Sequence, residues 1–114
     1  MALIYKICSA SDWEGAVKEG AFRGSPVDLR DGFIHLSAAH QVRETARRHF
    51  AGQEGLVLVA FETDDFGPSL KWEASRGGDL FPHVYGVLPV GKARWVAHLP
   101  RGAQGHIFPD EVPQ

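Results

Sequence analysis

Hydrophobic and polar residues alternate along the chain in short blocks, a pattern that predicts several strands and few helices. Residues 2–8 are apolar on both alternating faces except at Lys6, as expected for a strand that is buried on both sides. Residues 56–63 form the clearest strand, because they are rich in β-branched and apolar side chains. Shorter strands are predicted at residues 33–36, 70–73, 84–88 and 94–99.

Two segments between these strands have the spacing of amphipathic helices. Ser11 and Glu14 form a capping-box pattern at the start of the first helix, which is predicted to end at Gly20. Ser37 is predicted to cap the second helix, which runs to about Phe50. The pattern therefore predicts an α+β fold with a sheet and two short helices.

Composition and length agree with one domain of this kind. The chain has 114 residues, close to the commonest domain size, and 44% of them are hydrophobic. Its 13 glycines and 7 prolines indicate many tight connections between short elements. We expect a single domain over residues 1–114, with the core at about 3–100. Residues 101–114 are expected to run over the surface as a tail.

Charge and cysteine content narrow the classes of partner. The net charge of −2 provides no basic field that would draw the protein onto nucleic acid or an anionic membrane. No apolar run approaches the roughly 18 residues of a membrane span, and the N-terminus does not resemble a signal peptide. The one cysteine, Cys8, lies in a strand that is predicted to be buried. A cytoplasmic location is expected, and the sequence leaves the oligomeric state open.

Polar side chains on an otherwise apolar strand indicate a candidate site. In the segment DGFIHLS, alternation places Ile34 and Leu36 on one face and Phe33, His35 and Ser37 on the other. Burying polar groups costs free energy unless they find partners or face a cleft. Two interpretations are therefore open: a ligand cleft, or core polar groups that bond to one another.

The strand near residue 85 has the same polar spacing, since His83 and Tyr85 share a face. Lys6, in its buried strand, must pair with an acid, reach solvent or line a pocket. Glu73, next to Trp72, is a solvated strand-end carboxylate unless it neighbours a histidine, in which case it becomes a candidate acid or base.

Arg43 belongs to a basic stripe with His40 and Arg47 on the second predicted helix. Together with Ser37 and the first backbone amides of that helix, Arg43 could hold a phosphate. A solvated helix face, neutralised in part by Glu44, is the alternative interpretation.

Motif spacing sets several chemistries aside. The sequence lacks a Walker A phosphate loop, a dinucleotide-binding glycine fingerprint, a hydrolase nucleophile elbow and an HExxH zinc helix. A buried Cys8 is a poor thiolate nucleophile. The six histidines are scattered along the chain without the spacing of metal ligands, so no metal site is predicted, and a metal-dependent hydrolase is the weakest alternative.

The segments DGFIHLS, LKWE and FPHVYG, in this order, resemble a small bacterial family known as domain of unknown function 952. The resemblance covers nearly the whole chain, roughly from Leu3 to Pro100. It implies the ADP-ribosyltransferase fold, closest to the RNA 2′-phosphotransferase branch. That fold has a split, highly curved β-sheet with NAD or an ADP-ribose-like ligand in a central cleft.

Carried onto this sequence, the motifs of that fold fall on unusual residues. Lys6 takes the position of the ribose-binding histidine, His35 lies near the nicotinamide-stacking aromatic, and His83 stands where a glutamate is usual. Glu73 on a neighbouring strand is the candidate replacement for that glutamate. Two histidines and a lysine suit an anionic group such as a phosphate better than a cationic nicotinamide ring.

The resemblance and the polar faces together predict a site for a nucleotide or another phosphate ester, with NAD as the one cofactor considered. The candidate acid–base residues are His35, His83 and Glu73, and the candidate ligand-binding residues are Lys6, Phe33, Ser37, Arg43, Trp72 and Tyr85. The alternative is a binding or interaction module that keeps the fold without the chemistry.

Overall fold

The longest apolar runs of the chain form its central strands. The computed structural model describes residues 2–114, and Arg76 by its backbone only. Within this range there are three α-helices: α1 (Ala10–Glu19), α2 (Pro26–Asp31) and α3 (Val42–His49). The strands are β1 (Leu3–Ser9), β2 (Ala21–Phe22), β3 (Ile34–His35), β4 (Ser37–Ala38), β5 (Leu56–Glu62), β6 (Leu70–Ala74), β7 (Leu80–Val84), β8 (Leu88–Pro89), β9 (Trp95–Leu99), β10 (Arg101–Gly102) and β11 (Gly105–His106).

The central antiparallel sheet has the strand order β4-β1-β5-β9, and both of its faces are covered. Alternation along β5 sends Val57, Val59 and Phe61 to one face and Leu56 and Leu58 to the other. This two-sided burial explains why β1 and β5 are almost continuously apolar. The mixed α+β class predicted from the pattern is confirmed.

A second, three-stranded antiparallel sheet has the order β3-β7-β6 and carries the candidate histidines. Its register pairs Ile34 with Val84 and His35 with His83. Ile34 and Val84 both enter the core on the α1 side. The next residue of β3, His35, and the preceding residue of β7, His83, therefore point to the other face of the sheet. The sheet therefore brings two polar residues that are far apart in sequence to the same position.

Three predicted element boundaries are wrong. The first helix is capped by Ser9, whose hydroxyl accepts the Asp12 N–H at 3.0 Å, rather than by Ser11. Ser37 does not cap a helix: it lies buried in β4, its hydroxyl bonds to that of Thr45 at 2.9 Å, and α3 begins only at Val42. The strand predicted at 84–88 lies instead at Leu80–Val84 as β7, because the residues that pair with β6 are 80–84.

The prediction of two helices missed α2. Its neighbourhood has the composition of a loop, because the turn-forming residues Gly24, Ser25 and Pro26 follow one another in sequence. Pro26 instead occupies the first turn of the helix, where no backbone N–H is needed, and Asp28 accepts the backbone N–H of Ser25 at 2.8 Å. Helix α2 then ends at Gly32, which has a φ of 86°.

Residues 101–114 contact the core on the α3 side. They begin with the β10–β11 hairpin, and farther on Phe108 and Val112 pack against the apolar cluster around Leu58 and Val42. The Tyr5 hydroxyl donates a hydrogen bond to the carbonyl of Pro113. Among the described residues, no helix combines the length and the apolar character needed to cross a membrane.

Gly24 sets the position of Asp28, and replacing it with alanine is expected to destabilise the protein by about 1–3 kcal/mol. Its φ is 129°, and an added Cβ would come 2.9 Å from the Cβ of Asp28. Gly15 is the matched control, because it lies in α1 with open space around it. We expect Gly15→Ala to stabilise the protein by about 0.5–1 kcal/mol. Urea titration of both variants measures the two free energies of unfolding. Equal effects of the two substitutions would contradict this role of Gly24.

Candidate functional site

The candidate site is organised by Asp28, a buried carboxylate on α2. Its Oδ2 accepts hydrogen bonds from Lys6 Nζ at 2.8 Å and from the Ser25 backbone N–H, and its Oδ1 accepts the His35 backbone N–H at 3.0 Å. Burial raises the pKa of Asp28, but the hydrogen bond with His35 and the charge of Lys6 outweigh it and lower the pKa to about 2. Asp28 therefore links β1, α2 and β3 as a carboxylate.

The His35 ring lies between two carboxylates of α2. Its Nδ1 is 2.7 Å from Asp28 Oδ1, and its Nε2 is 3.0 Å from Asp31 Oδ2. Only a ring with hydrogen on both nitrogens donates to both carboxylates at once. Arg30 contacts Asp31 from the solvent side at 2.9 Å, and this hydrogen bond lowers the pKa of Asp31.

The His83 ring is held by a carboxylate from the neighbouring strand. Its Nδ1 is 2.7 Å from Glu73 Oε1, and the Tyr85 hydroxyl donates to the same oxygen at 2.8 Å. The hydrogen bond with His83, followed by that with Tyr85, lowers the pKa of Glu73, and the Glu73 carboxylate raises the pKa of Tyr85. The side chain of His83 is 6% exposed and that of Glu73 is 37% exposed, so the carboxylate lies at the surface.

Phe33 packs against both histidine rings. Its ring centroid is 4.6 Å from that of His35 and 4.2 Å from that of His83, and the two histidine centroids are 5.4 Å apart. The Tyr85 ring adds a further contact to Phe33 at 5.2 Å. Because each ring is fixed by a carboxylate and by Phe33, the two imidazoles are held in one arrangement.

A cleft of about 440 Å³ opens beside the two histidines. This volume lies within the range of roughly 300–1,000 Å³ that is typical of small-molecule sites. The polar groups that line it are Lys6, Arg30, Asp31, His35, Ser37, Thr45, His49, Ser75 and His83. Its apolar walls are formed by Ile7, Val27, Leu36, Phe50 and Phe81, with Tyr5 beside them. The cleft thus joins a charged end to an apolar wall.

The structure brings most of the predicted site residues together. Lys6, His35, Ser37 and His83 line the cleft, and Glu73 is in direct contact with His83. Within the described part of the chain, no buried side-chain nitrogen or oxygen lacks a hydrogen-bond partner. Both interpretations of the polar face therefore apply, since these groups have hydrogen-bond partners and also face a cleft.

Phe33 and Tyr85 take different positions from those expected of ligand-stacking residues. Both are absent from the described residues that line the cleft. Phe33 contacts the two histidine rings instead, and Tyr85 contacts Phe33 and the Glu73 carboxylate. Trp72 and Glu73 point to different faces of β6, because neighbouring residues of a strand alternate between its two faces. Their pairing partners in β7 are Pro82 and Phe81, respectively. Trp72 is therefore separated from the site.

Arg43 lies away from the histidines and from Ser37. It lines a separate cleft of about 700 Å³ between α3 and the β10–β11 hairpin, with its guanidinium 5.2 Å from the ring of Phe108. This larger cleft sets the carboxylates Glu44 and Asp110 against its arginines. Its charges are largely balanced, and among the described residues that line it no histidine is held by a carboxylate, so the smaller cleft is the candidate site.

Asp28 and Asp31 are the site residues that the sequence analysis missed. The signal that could have found them is the i, i+3 spacing of two acids on one helical turn, which requires α2 to be recognised first. Lys6 also gave an indirect signal, since a lysine in a buried strand demands an acid. No local pattern identifies which acid it is.

The thiol of Cys8 is poorly suited to nucleophilic chemistry. Cys8 is buried, and desolvation raises the pKa of its thiol to about 12, so the thiolate is scarce at neutral pH. Among the described residues, no group of three or more histidine, cysteine, aspartate or glutamate side chains has the arrangement of a metal site.

Fold and site define a small α+β protein with a two-histidine cleft in which carboxylates orient both rings. Residues 7–96 match the model of a family described as a protein of unknown function, DUF952. Because this match covers more than half of the chain, the protein belongs to the DUF952 family. No match is found among curated proteins.

Solved structures of protein CC0527 from Caulobacter crescentus are similar to this chain. One crystal structure is 52% identical, with a TM-score of 0.87, and covers 98% of this chain and 93% of that chain. A crystal structure of a double mutant is 51% identical, with the same TM-score and coverage. A solution NMR structure is 53% identical, with a TM-score of 0.83, and covers 93% of this chain and 91% of that chain.

Proposed function

We propose that the cleft binds a nucleotide or another small phosphate ester and that His35 and His83 transfer protons in hydrolysis or transfer at that phosphate. The observation that carries the proposal is the arrangement of the two imidazoles. Their centroids are 5.4 Å apart on one cleft, and each Nδ1 is 2.7 Å from a carboxylate. A carboxylate on Nδ1 fixes the tautomer and directs proton transfer to Nε2.

The hydrogen-bond donors of the cleft suit an anionic ligand group. Because Lys6 is paired with Asp28, the donors that can reach a ligand are those of the imidazoles and of Arg30 at the rim. Histidine and arginine donate charge-assisted hydrogen bonds to phosphate oxygens. A phosphate oxygen that binds His35 Nε2 must displace the Asp31 carboxylate from that nitrogen. Asp31 then keeps its other partner, Arg30.

The reaction that fits this pair is displacement at phosphorus. One imidazole takes a proton from the attacking water or hydroxyl as its oxygen bonds to phosphorus, and the other gives a proton to the leaving oxygen as that P–O bond breaks. The resemblance to ADP-ribosyltransferases makes NAD, ADP-ribose and 2′-phosphorylated nucleotides the first ligands to examine. A module that binds these ligands without turnover is the alternative form of the proposal.

The test is a titration of ¹⁵N-labelled protein with these three ligands, followed by ³¹P NMR of the mixture. Amide shifts are expected around His35, His83 and Ser37. His35→Gln and His83→Gln are each expected to weaken binding roughly 10- to 100-fold, since each removes a charged hydrogen bond to the phosphate. His98→Gln, at an exposed position of β9, is the control and is expected to bind normally.

The outcomes separate the two forms of the proposal. New ³¹P signals that vanish in both histidine variants support catalysis, whereas binding with unchanged ³¹P signals supports the binding module. Absence of amide shifts near His35 and His83 with every phosphate would overturn both.

A further inference from the structure

The outer edge of β6 offers backbone hydrogen-bonding groups in a defined phase. Trp72 of β6 stands opposite Pro82 of β7, which has no N–H, so these two residues cannot form a hydrogen-bonded pair with each other. At the two ends of the strand, the Ser69 carbonyl accepts the Tyr85 N–H and the Ser75 N–H donates to the Asp79 carbonyl. The odd-numbered residues therefore bond to β7.

The even-numbered residues of β6 consequently direct their backbone groups away from β7. This places the N–H and C=O of Trp72 and Ala74 on the open edge of the sheet, because β6 is the last strand in the order β3-β7-β6. An open strand edge is a template for pairing with another strand.

The side chains of β6 are complementary to a second copy of the same strand. In an antiparallel pair with a two-fold axis at Trp72, each Lys71 stands opposite the Glu73 of the second copy. Trp72 then forms the hydrogen-bonded pair with its own counterpart, while Lys71 and Glu73 fall in the non-hydrogen-bonded positions, where side chains come closest. Opposite charges at such positions stabilise the pairing.

The other face of the same edge is apolar and exposed. Trp72 is 43% exposed and Leu80, on the adjacent strand, is 54% exposed. Pairing about Trp72 would cover both copies of the indole. The outer edge of β9 offers no such match, since pairing about its centre would set Val96 against His98.

We propose that the protein self-associates through β6, forming a two-fold symmetric dimer in which two three-stranded sheets join into one. The partner of this surface is a second copy of the chain, selected by the Lys71–Glu73 complement. The same contact places the second copy's Lys71 beside the Glu73 carboxylate that holds His83. An interface built on five-residue strands is small, so the dimer is a transient, concentration-dependent one.

Sedimentation equilibrium at rising protein concentration tests the association. The average mass is expected to rise from 12.5 kDa toward twice that value. Lys71→Glu and Glu73→Lys are each expected to weaken the dimer roughly tenfold or more, because each places like charges opposite one another. The double variant K71E/E73K is expected to restore it. Lys18→Glu and Glu14→Lys, which make the same charge changes on α1, serve as controls.

Amide hydrogen exchange of the wild-type protein tests the register without a substitution. Exchange at the N–H groups of Trp72 and Ala74 is expected to slow as concentration rises. A protein that stays monomeric at millimolar concentration would overturn the proposal. So would a dimer whose protected amides lie on β9, or one that the double variant fails to restore while remaining folded.

Discussion

Replacing Asp28 with alanine is expected to destabilise the protein by about 3–5 kcal/mol, since it leaves the ammonium group of Lys6 buried without a partner. Lys6 is 3% exposed and Asp28 is 2% exposed, and their charged atoms are 2.8 Å apart. The same carboxylate also accepts the backbone N–H groups of Ser25 and His35. Its Oδ1 also lies 2.7 Å from the His35 ring, so the substitution removes the shared hydrogen-bond partner of Lys6, Ser25 and His35.

Urea denaturation followed by circular dichroism measures this effect, and two further variants interpret it. Lys6→Met in the Asp28→Ala background is expected to recover part of the loss, because an apolar side chain has no charge to desolvate. Asp31→Ala removes a carboxylate from the same helix at a partly exposed position and is expected to cost less than about 1 kcal/mol. Equal losses for Asp28→Ala and Asp31→Ala would contradict the buried-pair account.

The elements predicted correctly from the sequence are those whose own residues carry the signal. The apolar run of β5 determines that it is buried on both faces, whatever it packs against. Alternation along β3 separates Ile34, which enters the core, from His35, which lines the cleft, because the period of two is a property of the strand alone. Local geometry of this kind needs no knowledge of the rest of the fold.

The site itself depends on contacts that local patterns do not contain. His35 and His83 meet because β3 pairs with β7, and that pairing joins residues 48 positions apart, as the difference between 83 and 35 shows. Helix α2 was missed because Gly24 and Pro26 have turn chemistry, although Pro26 fits a first helical turn equally well. With α2 missed, Asp28 had no predicted place near Lys6.

Arg43 and Trp72 show that local patterns also select residues that lie outside the site. Both have a side chain suited to binding a phosphate or a base, and both lie away from the histidine cleft. Residue type and local spacing favoured them, whereas the register of β6 and the start of α3 at Val42 determine where they lie. Chemical suitability identifies candidates, and long-range pairing decides among them.

Removing residues 107–114 is expected to destabilise the protein by about 2–4 kcal/mol, because the segment covers the core on the α3 side. Phe108 and Val112 pack against that core, and the carbonyl of Pro113 accepts the hydroxyl hydrogen of the buried Tyr5. Without the segment, that hydroxyl and the apolar surface around it face water. Since Tyr5 also lines the histidine cleft, the amides around Ser37 are expected to shift as well.

Ile107, the residue next to Phe108 in the same segment, supplies the control for this truncation. Ile107 is 56% exposed, so Ile107→Ala is expected to change the free energy of unfolding by less than about 0.5 kcal/mol. Phe108→Ala is expected to account for the largest share of the loss on truncation, because an aromatic ring buries more surface than valine. A truncated protein that unfolds at the same urea concentration as the full chain would show that this segment only runs over the surface. A loss shared equally by Ile107→Ala and Phe108→Ala would show that the segment acts through its backbone rather than through these side chains.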